Sequence, residues 1–584
     1  MKLKHFHQIW AALALCCLAT LACAAPDYRV QIDAPAGLSE LLNQHLPLMT
    51  DQQDPDLDAA GVDAMLRATP DTVRQIMETE GYFSPQIRVW TQTGARPVYH
   101  VEVKPGEPVT IARVDLQLDG AIRDEPDFAG RFAAIEKKWP LPVGKVFRQA
   151  DWDSGKREAQ QQLAVDRFPL AKITDSRIDI DPETRQARIR VTLDSGPRIR
   201  FGALKIRGLN RYPQALVDNL ANFHQGDPYN QQKLQEFQSA LEQQAQFAGA
   251  LVGADPQRIA DGEVPVDVDV TEQPTKKLDL GLTYDSDFGP GTRFGYDHYN
   301  VFGSGWTGSS VLSWNNSEQN LGLGLSMPRT AGGYVNSLTV SWDKTNIQGL
   351  ITDSRNIGVW HTRAEERHEL RFGMEYLIDN EHTNGSADQT NHALMPSVGW
   401  TWRGVDDLLR PRSGFMLDGT LGSTPGELLS STRFTRAYGR GVGYWTPGNP
   451  AWGTWMARLE LGQIWAADST QVPVSQLFRA GGVNSVRGYD YESLGVPGPA
   501  GAVLGGTVLA TATLEYQIPV ARDWSVALFR DAGDAAQGWN SYNLHHSYGI
   551  GARWFSPVAP FSLDLAKDPH VGGIKLHMSL GLAF

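Results

Sequence analysis

The C-terminal half of the chain alternates apolar and polar residues with a period of two. In residues 574–584 an apolar side chain stands at every second position, and residues 455–462 and 508–516 follow the same pattern. This period indicates β-strands whose two faces meet different surroundings. Beyond the first 24 residues there is no run of 18 apolar residues, so we expect no membrane-spanning helix. A soluble sandwich shows such alternation too, but a membrane protein built this way requires a closed β-barrel.

The amino-acid composition changes near residue 275, after which glycine and tryptophan become more frequent, as is typical of a barrel. Residues 276–584 hold 42 of the 58 glycines and 13 of the 17 tryptophans. Turn glycines and interfacial aromatic residues are typical of outer-membrane barrels. At roughly ten residues per spanning strand, with turns and loops added, this segment has room for about 16 strands. An even number is expected, so 14 and 18 strands remain open.

The first residues resemble a secretory signal peptide. Lys2 and Lys4 precede an apolar run at residues 9–21, and the small residues 22–24 provide a cleavage pattern. We therefore expect a signal peptide over residues 1–24, with lipidation at Cys23 as the alternative. All three cysteines lie in this segment, so we expect the exported chain to lack disulfides.

Residues 26–275 contain an internal repeat. The spacing of glycine and apolar positions in residues 103–116 returns in residues 193–206. Each unit is predicted to run strand, helices, strand, strand, and three units fit, with boundaries near residues 105 and 197. In the first unit, Pro70 is expected to begin a helix that ends before Gly81, because proline suits a first helical position and glycine the end.

The residues indicate neither an enzyme nor a metal protein, and we expect no cofactor. The acidic run at residues 54–58 has the spacing of a calcium loop, but Ala59 replaces the turn glycine and Met65 the closing glutamate. An acidic loop or a helix cap is the better interpretation. The adjacent His545 and His546 would face opposite sides of a strand. The net charge of −13 argues against nucleic-acid binding.

One turn-rich segment carries a distinctive motif. It contains Gly481-Gly482, followed by Val486-Arg487-Gly488-Tyr489. Glycine permits positive φ at a tight turn, and arginine forms forked hydrogen bonds with a carboxylate. By itself, such an arginine is more often a solvated turn residue. The surrounding segment, residues 468–505, is too long for an ordinary hairpin loop and is typical of a lid or plug.

Together these patterns resemble the BamA-like outer-membrane assembly-factor superfamily, in which periplasmic POTRA domains precede a barrel. Downstream motifs add to the resemblance: Gly506, Ala510, Glu515 and Pro519, then Phe529-x-Asp531-x-Gly533, and Gly549-x-Gly551-x-Arg553-Trp554. The resemblance implies three β-α-α-β-β POTRA domains, at residues 26–105, 106–197 and 198–275. It also implies a 16-stranded antiparallel transmembrane β-barrel at residues 276–584.

The resemblance also implies site residues. Arg487 is expected to fold into the lumen and meet the wall acids Glu515 and Asp531, with Phe529 packing nearby. The seam between the first and last strands is the proposed lateral gate. Gly581 in the terminal strand either kinks it or only relieves crowding, and Phe584 ends it.

Within the superfamily, three repeats resemble the TamA branch. This implies an outer-membrane protein of a Gram-negative bacterium that assembles autotransporter-like and other β-barrel clients. Its expected partners are a TamB-like protein anchored in the inner membrane, unfolded clients and outer-membrane lipid. A BamA-type insertase or a two-partner secretion pore is the alternative within the class. A passive channel with periplasmic binding modules is the alternative outside it.

Overall fold

The computed structural model describes residues 27–580, apart from residues 53, 55, 56, 95, 286, 287, 558, 570 and 571. The predicted signal peptide, Gly581 and Phe584 lie outside the described residues. The chain divides into two compact units. One holds the first two repeats and part of the third, and the other holds the rest of the third repeat and the barrel.

The first repeat packs helices on a three-stranded mixed sheet. Its elements are β1 (Arg29–Asp33), α1 (Ala36–His45), α2 (Pro47–Thr50), α3 (Ala59–Thr79), β2 (Gln86–Gln92) and β3 (Val98–Lys104). The strand order is β1-β3-β2, with β1 parallel and β2 antiparallel to β3. Alternate residues of β3, including Val101 and Val103, are buried against Leu42, Val73 and other helical residues.

The prediction that a helix begins at Pro70 is wrong, because α3 begins at Ala59. The carboxylate of Asp58 accepts a hydrogen bond from the N–H of Gly61 at 2.7 Å and so caps the helix. Val62 and Val73, on either side of Pro70, are both buried in the core of the repeat. The cap and this burial outweigh the hydrogen bond that proline cannot donate. The helix-cap interpretation of the acidic run is confirmed for Asp58.

The second and third repeats have the same architecture. The second contains β4 (Thr110–Asp119), α4 (Phe128–Lys138), α5 (Gln149–Ala164), β5 (Lys172–Asp181) and β6 (Gln186–Asp194), in the order β4-β6-β5. The third contains β7 (Arg200–Arg207), α6 (Ala215–Asp218), α7 (Gln231–Glu242), β8 (Phe247–Ala254) and β9 (Glu263–Glu272), in the order β7-β9-β8. Three POTRA-like units are thereby confirmed.

The remaining sheet has 16 strands, as predicted, and neighbouring strands are antiparallel. The strands are β10 (Lys276–Asp285), β11 (Gly289–Val301), β12 (Trp306–Trp314), β13 (Glu318–Ser326), β14 (Tyr334–Ile347), β15 (Leu350–Ala364), β16 (His368–Thr383), β17 (Gln389–Val405), β18 (Gly414–Ser423), β19 (Phe434–Trp445), β20 (Thr454–Ala466), β23 (Val508–Ala521), β24 (Trp524–Ala536), β25 (His545–Phe555), β26 (Pro560–Lys567) and β27 (Ile574–Leu580). Two short strands, β21 (Val496–Pro497) and β22 (Val503–Leu504), pair with each other between β20 and β23.

Neighbouring residues of the barrel strands differ sharply in exposure, as the period of two predicts. On β23 the outward Leu514 is 52% exposed, whereas Glu515 beside it is 1% exposed. On β24 the inward Phe529 and Asp531 are buried between the exposed Leu528 and Arg530. Outward side chains of these strands are therefore exposed and inward ones buried, and the carboxylates of Glu515 and Asp531 lie on the inward face. In the part of the chain that the structure describes, no helix is long and apolar enough to cross a membrane.

Replacing Asp58 by alanine is expected to loosen the first turn of α3. Loss of a side-chain N-cap costs about 1 kcal/mol, which is about a fivefold change in a local opening equilibrium. Hydrogen–deuterium exchange of the intact protein should show faster exchange at the start of α3. The exposed Gln75, within the same helix, provides the control, and Gln75→Ala should leave the rates unchanged. Equal exchange in the Asp58→Ala protein and the wild type would contradict the cap.

Candidate functional site

The segment between β20 and β23, residues 467–507, folds inside the barrel and is called here the lumenal loop. Its side chains Phe478, Ala480, Val486 and Leu494 are buried in one apolar cluster with wall residues. The wall residues of this cluster are Leu377, Ala393, Met395, Phe434, Ile464, Leu509 and Ala535. The loop thus has an apolar core of its own, which fixes its path through the lumen.

Glycines shape the turn that presents the arginine. Gly481, Gly482 and Gly488 have φ values of +107°, +93° and +93°, a region that favours glycine. The N–H of Gly482 donates to the carbonyl of Tyr489 at 3.3 Å and closes the turn. A Cβ on Gly488 would lie 3.2 Å from the Cβ of Ser547, so this residue approaches the wall closely. Arg487 lies between Gly482 and Gly488, so these turns fix the position of its backbone.

Arg487 binds three carboxylates of the barrel wall. Its Nε donates to Asp531 Oδ2 at 2.7 Å, and its Nη2 donates to Oδ1 of the same residue at 2.9 Å. Its Nη1 donates to Glu515 Oε2 at 3.0 Å and to Asp564 Oδ2 at 3.1 Å. The guanidinium carbon lies 3.4 Å from the centre of the Phe529 ring. The structure therefore brings together the arginine, both predicted acids and the predicted aromatic residue.

The sequence interpretation did not assign a role to Arg553 or Asp564, which complete this network. Arg553 of β25 donates from Nε and Nη2 to Glu515 at 2.9 and 2.6 Å. Its Nη1 donates to Asp564 Oδ1 at 2.6 Å. Asp564 follows Leu563 and precedes Leu565 on β26, so strand alternation could have identified it as a lumenal acid.

A third arginine holds the loop backbone. The Nη2 of Arg458, on β20, donates to the carbonyl of Ser485 at 3.0 Å and to the hydroxyl of Thr513 at 2.9 Å. Arg458 is buried, as are the two arginines of the network and their three carboxylates. Three cations and three anions therefore share one buried region, where each charge needs its partners.

The residues after Arg487 reach the last strand of the sheet. The N–H of Gly488 donates to His577 Nε2 at 3.0 Å, and Asp490 forms an ion pair of 2.6 Å with Lys575. Both partners lie on β27. The hydroxyl of Tyr489 donates to Asp568, just beyond β26, at 2.9 Å. The sequence interpretation found none of these partners, since they are distant in the chain.

The next loop residue contacts the other end of the sheet. The ring of Tyr491 meets the ring of Phe288 edge to face, with 4.7 Å between ring centres. Phe288 lies in the turn between β10 and β11. Residues 490 and 491 therefore bind opposite ends of the 16-strand order. Within the described residues, no group of three or more His, Cys, Asp and Glu side chains could hold a metal ion.

The fold and this lumenal network define a class: outer-membrane β-barrel proteins with POTRA domains in the periplasm. Residues 300–584 match the family described as the Omp85 superfamily domain. Residues 199–273 match the POTRA family, described as a surface antigen variable number repeat. Residues 300–584 are therefore an Omp85 superfamily domain preceded by a POTRA repeat, and the chain is similar to BamA.

Two curated relatives are assembly factors. The chain is 23% identical over 523 residues to the outer membrane protein assembly factor BamA of Neisseria meningitidis serogroup B, covering 77% of this chain and 65% of the relative. It is 24% identical over 449 residues to the protein of the same name from Nitratidesulfovibrio vulgaris, covering 71% of this chain and 55% of the relative. The chain thus spans less than two thirds of the length of these relatives.

A solved structure shares the fold. The crystal structure of BamA from Haemophilus ducreyi lacking POTRA domains 1-3 superposes with a TM-score of 0.64 at 18% identity. The alignment covers 80% of this chain and 98% of that one. The resemblance extends through most of the barrel and into the repeats.

Replacing Arg487 by alanine is expected to destabilise the barrel strongly. The change leaves buried carboxylates without their cation, and breaking a buried ion pair in this way costs about 3–5 kcal/mol. The free energy of unfolding, or the temperature at which the folded band is lost on electrophoresis, measures the effect. Arg487→Lys should recover only part of it, because lysine lacks the planar fork.

Arg433 provides a matched control, because its pair with Glu427 is exposed at an extracellular turn. Exposed pairs contribute about 0–1 kcal/mol, so Arg433→Ala should be nearly neutral. If Arg487→Ala has as small an effect as Arg433→Ala, the network does not hold the loop.

Proposed function

We propose that this protein assembles outer-membrane proteins, helping autotransporter-like and other β-barrel clients to insert or be secreted. The observation that carries the proposal is the lumenal loop, whose consecutive residues Asp490 and Tyr491 contact the last strand and the first hairpin. Such a loop is well placed to sense or control the seam between β10 and β27. The Omp85 relationship and the names of the two curated relatives support the same function.

The exposure of the seam strands supports the seam as the route for clients. Outward residues at the two ends of the sheet are more exposed than those in its interior: Leu282 of β10 is 89% exposed and Leu580 of β27 is 75% exposed, against 51% for Leu459 of β20. A client strand could pair with such an end, because unpaired strand edges are templates for strand addition.

The filled lumen argues against the passive channel. The apolar core of the lumenal loop and its buried ion network occupy the region through which ions would have to pass. A channel protein would have to release these contacts to conduct. A steady, wide conductance in planar bilayers, unchanged when the loop is cross-linked to the wall, would favour the channel instead.

For the repeats, we propose that they bind a TamB-like partner anchored in the inner membrane, as in the TamA branch. Each repeat has a three-stranded sheet with two edge strands. Edge strands support this role because they can accept an added strand from a partner. A BamA-type insertase remains the alternative that the curated relatives favour. Affinity purification of the intact protein from envelope membranes discriminates between them. Recovery of a periplasm-spanning inner-membrane protein supports the TamA branch.

Cross-linking the lumenal loop to β27 is expected to stop client assembly. Because all three cysteines lie within residues 1–24, Asp490→Cys and Lys575→Cys would introduce a unique thiol pair into the exported chain. A short bismaleimide should join them, and proteoliposomes would then be assayed for folding of an unfolded β-barrel client. The two single-cysteine variants, treated with the same reagent, are the controls. Undiminished assembly by the cross-linked protein would contradict control of the seam by the loop.

A further inference from the structure

A cavity of about 740 Å³ lies at the periplasmic end of the barrel. The turns that follow β17, β19 and β23 form its rim. Because β10 follows the third repeat and the strands are antiparallel, these turns lie at the end of the barrel where the repeats attach. Thr454, Gln517 and Ser525 line the cavity from the inward faces of their strands. The cavity therefore opens to the lumen, and its ligand would arrive from the periplasm.

Three arginines line this cavity: Arg410, Arg412 and Arg522. They are called here the arginine cleft. The Nη1 of Arg410 donates to the carbonyl of Arg522 at 2.7 Å, and its guanidinium carbon lies 4.9 Å from the centre of the Phe555 ring. Arg412 and Arg522 are exposed. One side chain is thus fixed in place, while two remain open to a ligand.

The acids closest in sequence accept hydrogen bonds from backbone N–H groups of the turn. Asp406 Oδ1 accepts from the N–H groups of Arg412 and Ser413 at 2.9 and 3.1 Å. Asp407 Oδ1 accepts from the N–H of Arg410 at 3.0 Å. Of the residues lining the cavity, only Asp523 is acidic. Burial and the charge of Arg412 lower the pKa of Arg410, against the opposing charges of Asp523 and Asp407. The residues that line the cleft therefore include three cations and one anion, in a chain whose net charge is −13.

The lining also has an apolar part, made by Pro411, Pro450, Val520 and Phe555. Guanidinium groups beside apolar side chains suit an extended polypeptide that carries both carboxylate and apolar groups. Lipid head groups are also anionic, but the inward faces of β20, β23 and β24 form part of the wall, and lipid contacts the outward faces. The geometry favours a polypeptide.

We propose that the arginine cleft binds carboxylate groups of an unfolded client polypeptide as it reaches the lumen from the periplasm. This proposal rests on the proposed function, under which client polypeptides reach the barrel. The cleft would hold a segment of the client near the lumenal mouth through charge, with the apolar floor accepting neighbouring side chains.

Peptide binding to the full-length protein in an uncharged detergent tests the proposal. The probe is a fluorescent extended peptide that alternates glutamate with apolar residues, and its partner has glutamine at every glutamate position. The acidic peptide should bind about tenfold more tightly, and added salt should remove the difference. The double variant R412Q/R522Q, which changes only exposed side chains and keeps Arg410, should lose most of the difference between the two peptides. Arg433→Gln, at the extracellular end, should behave as wild type.

Equal affinity of the wild type for the two peptides, or full acidic-peptide binding by the folded double variant, would overturn the proposal. So would displacement of the peptide by phosphatidylglycerol micelles in an arginine-dependent manner, which would make the cleft a lipid head-group site. Unaltered electrophoretic heat-modifiability would show that the double variant is folded. If it is not folded, the single variant R412Q takes its place in the same comparison. A wild type that binds the peptide but assembles no client would instead refute the proposed function.

Discussion

Buried charge in the lumen is the constraint on which the rest of the site depends. Apolar residues face outward from the wall, so Glu515, Asp531 and Asp564 face inward, where little water can reach them. Carboxylates in such surroundings are costly unless cations and hydrogen bonds compensate them. Arg458 and Arg553 supply two cations from the wall, and Arg487 supplies the third from the lumenal loop. The contacts of this arginine and the apolar core of the lumenal loop together hold the loop inside the barrel.

This requirement links distant parts of the barrel. Arg487 binds β23, β24 and β26 through the three carboxylates, and the residues that follow it reach β27 and the first hairpin. A change in the pairing of the end strands would therefore alter the contacts of the lumenal loop. Conversely, release of the loop would expose charges that the wall alone does not balance. This coupling is the physical basis of the proposed control of the seam.

The sequence predicted those features of the fold and the site that depend on local residue patterns and on motifs. The resemblance to the assembly-factor superfamily indicated Glu515 and Asp531, and the length of the C-terminal half indicated about 16 strands. Arg553, Asp564 and His577 escaped assignment because their roles arise only when β25, β26 and β27 lie side by side. The start of α3 was misplaced because Pro70 is a strong local signal, whereas the cap at Asp58 and the burial of Val62 depend on the folded repeat. Gly581 and Phe584 lie outside the described residues, and their role at the seam stays a prediction.

A double-mutant cycle between Arg487 and Asp531 tests the central claim most directly. The free energy of unfolding would be measured for the wild type, Arg487→Met, Asp531→Asn and the double variant in lipid vesicles. If the buried pair holds the loop, the two substitutions are coupled by about 1.5 kcal/mol or more. Additive effects, within about 0.5 kcal/mol, would contradict the claim that this contact holds the lumenal loop in place.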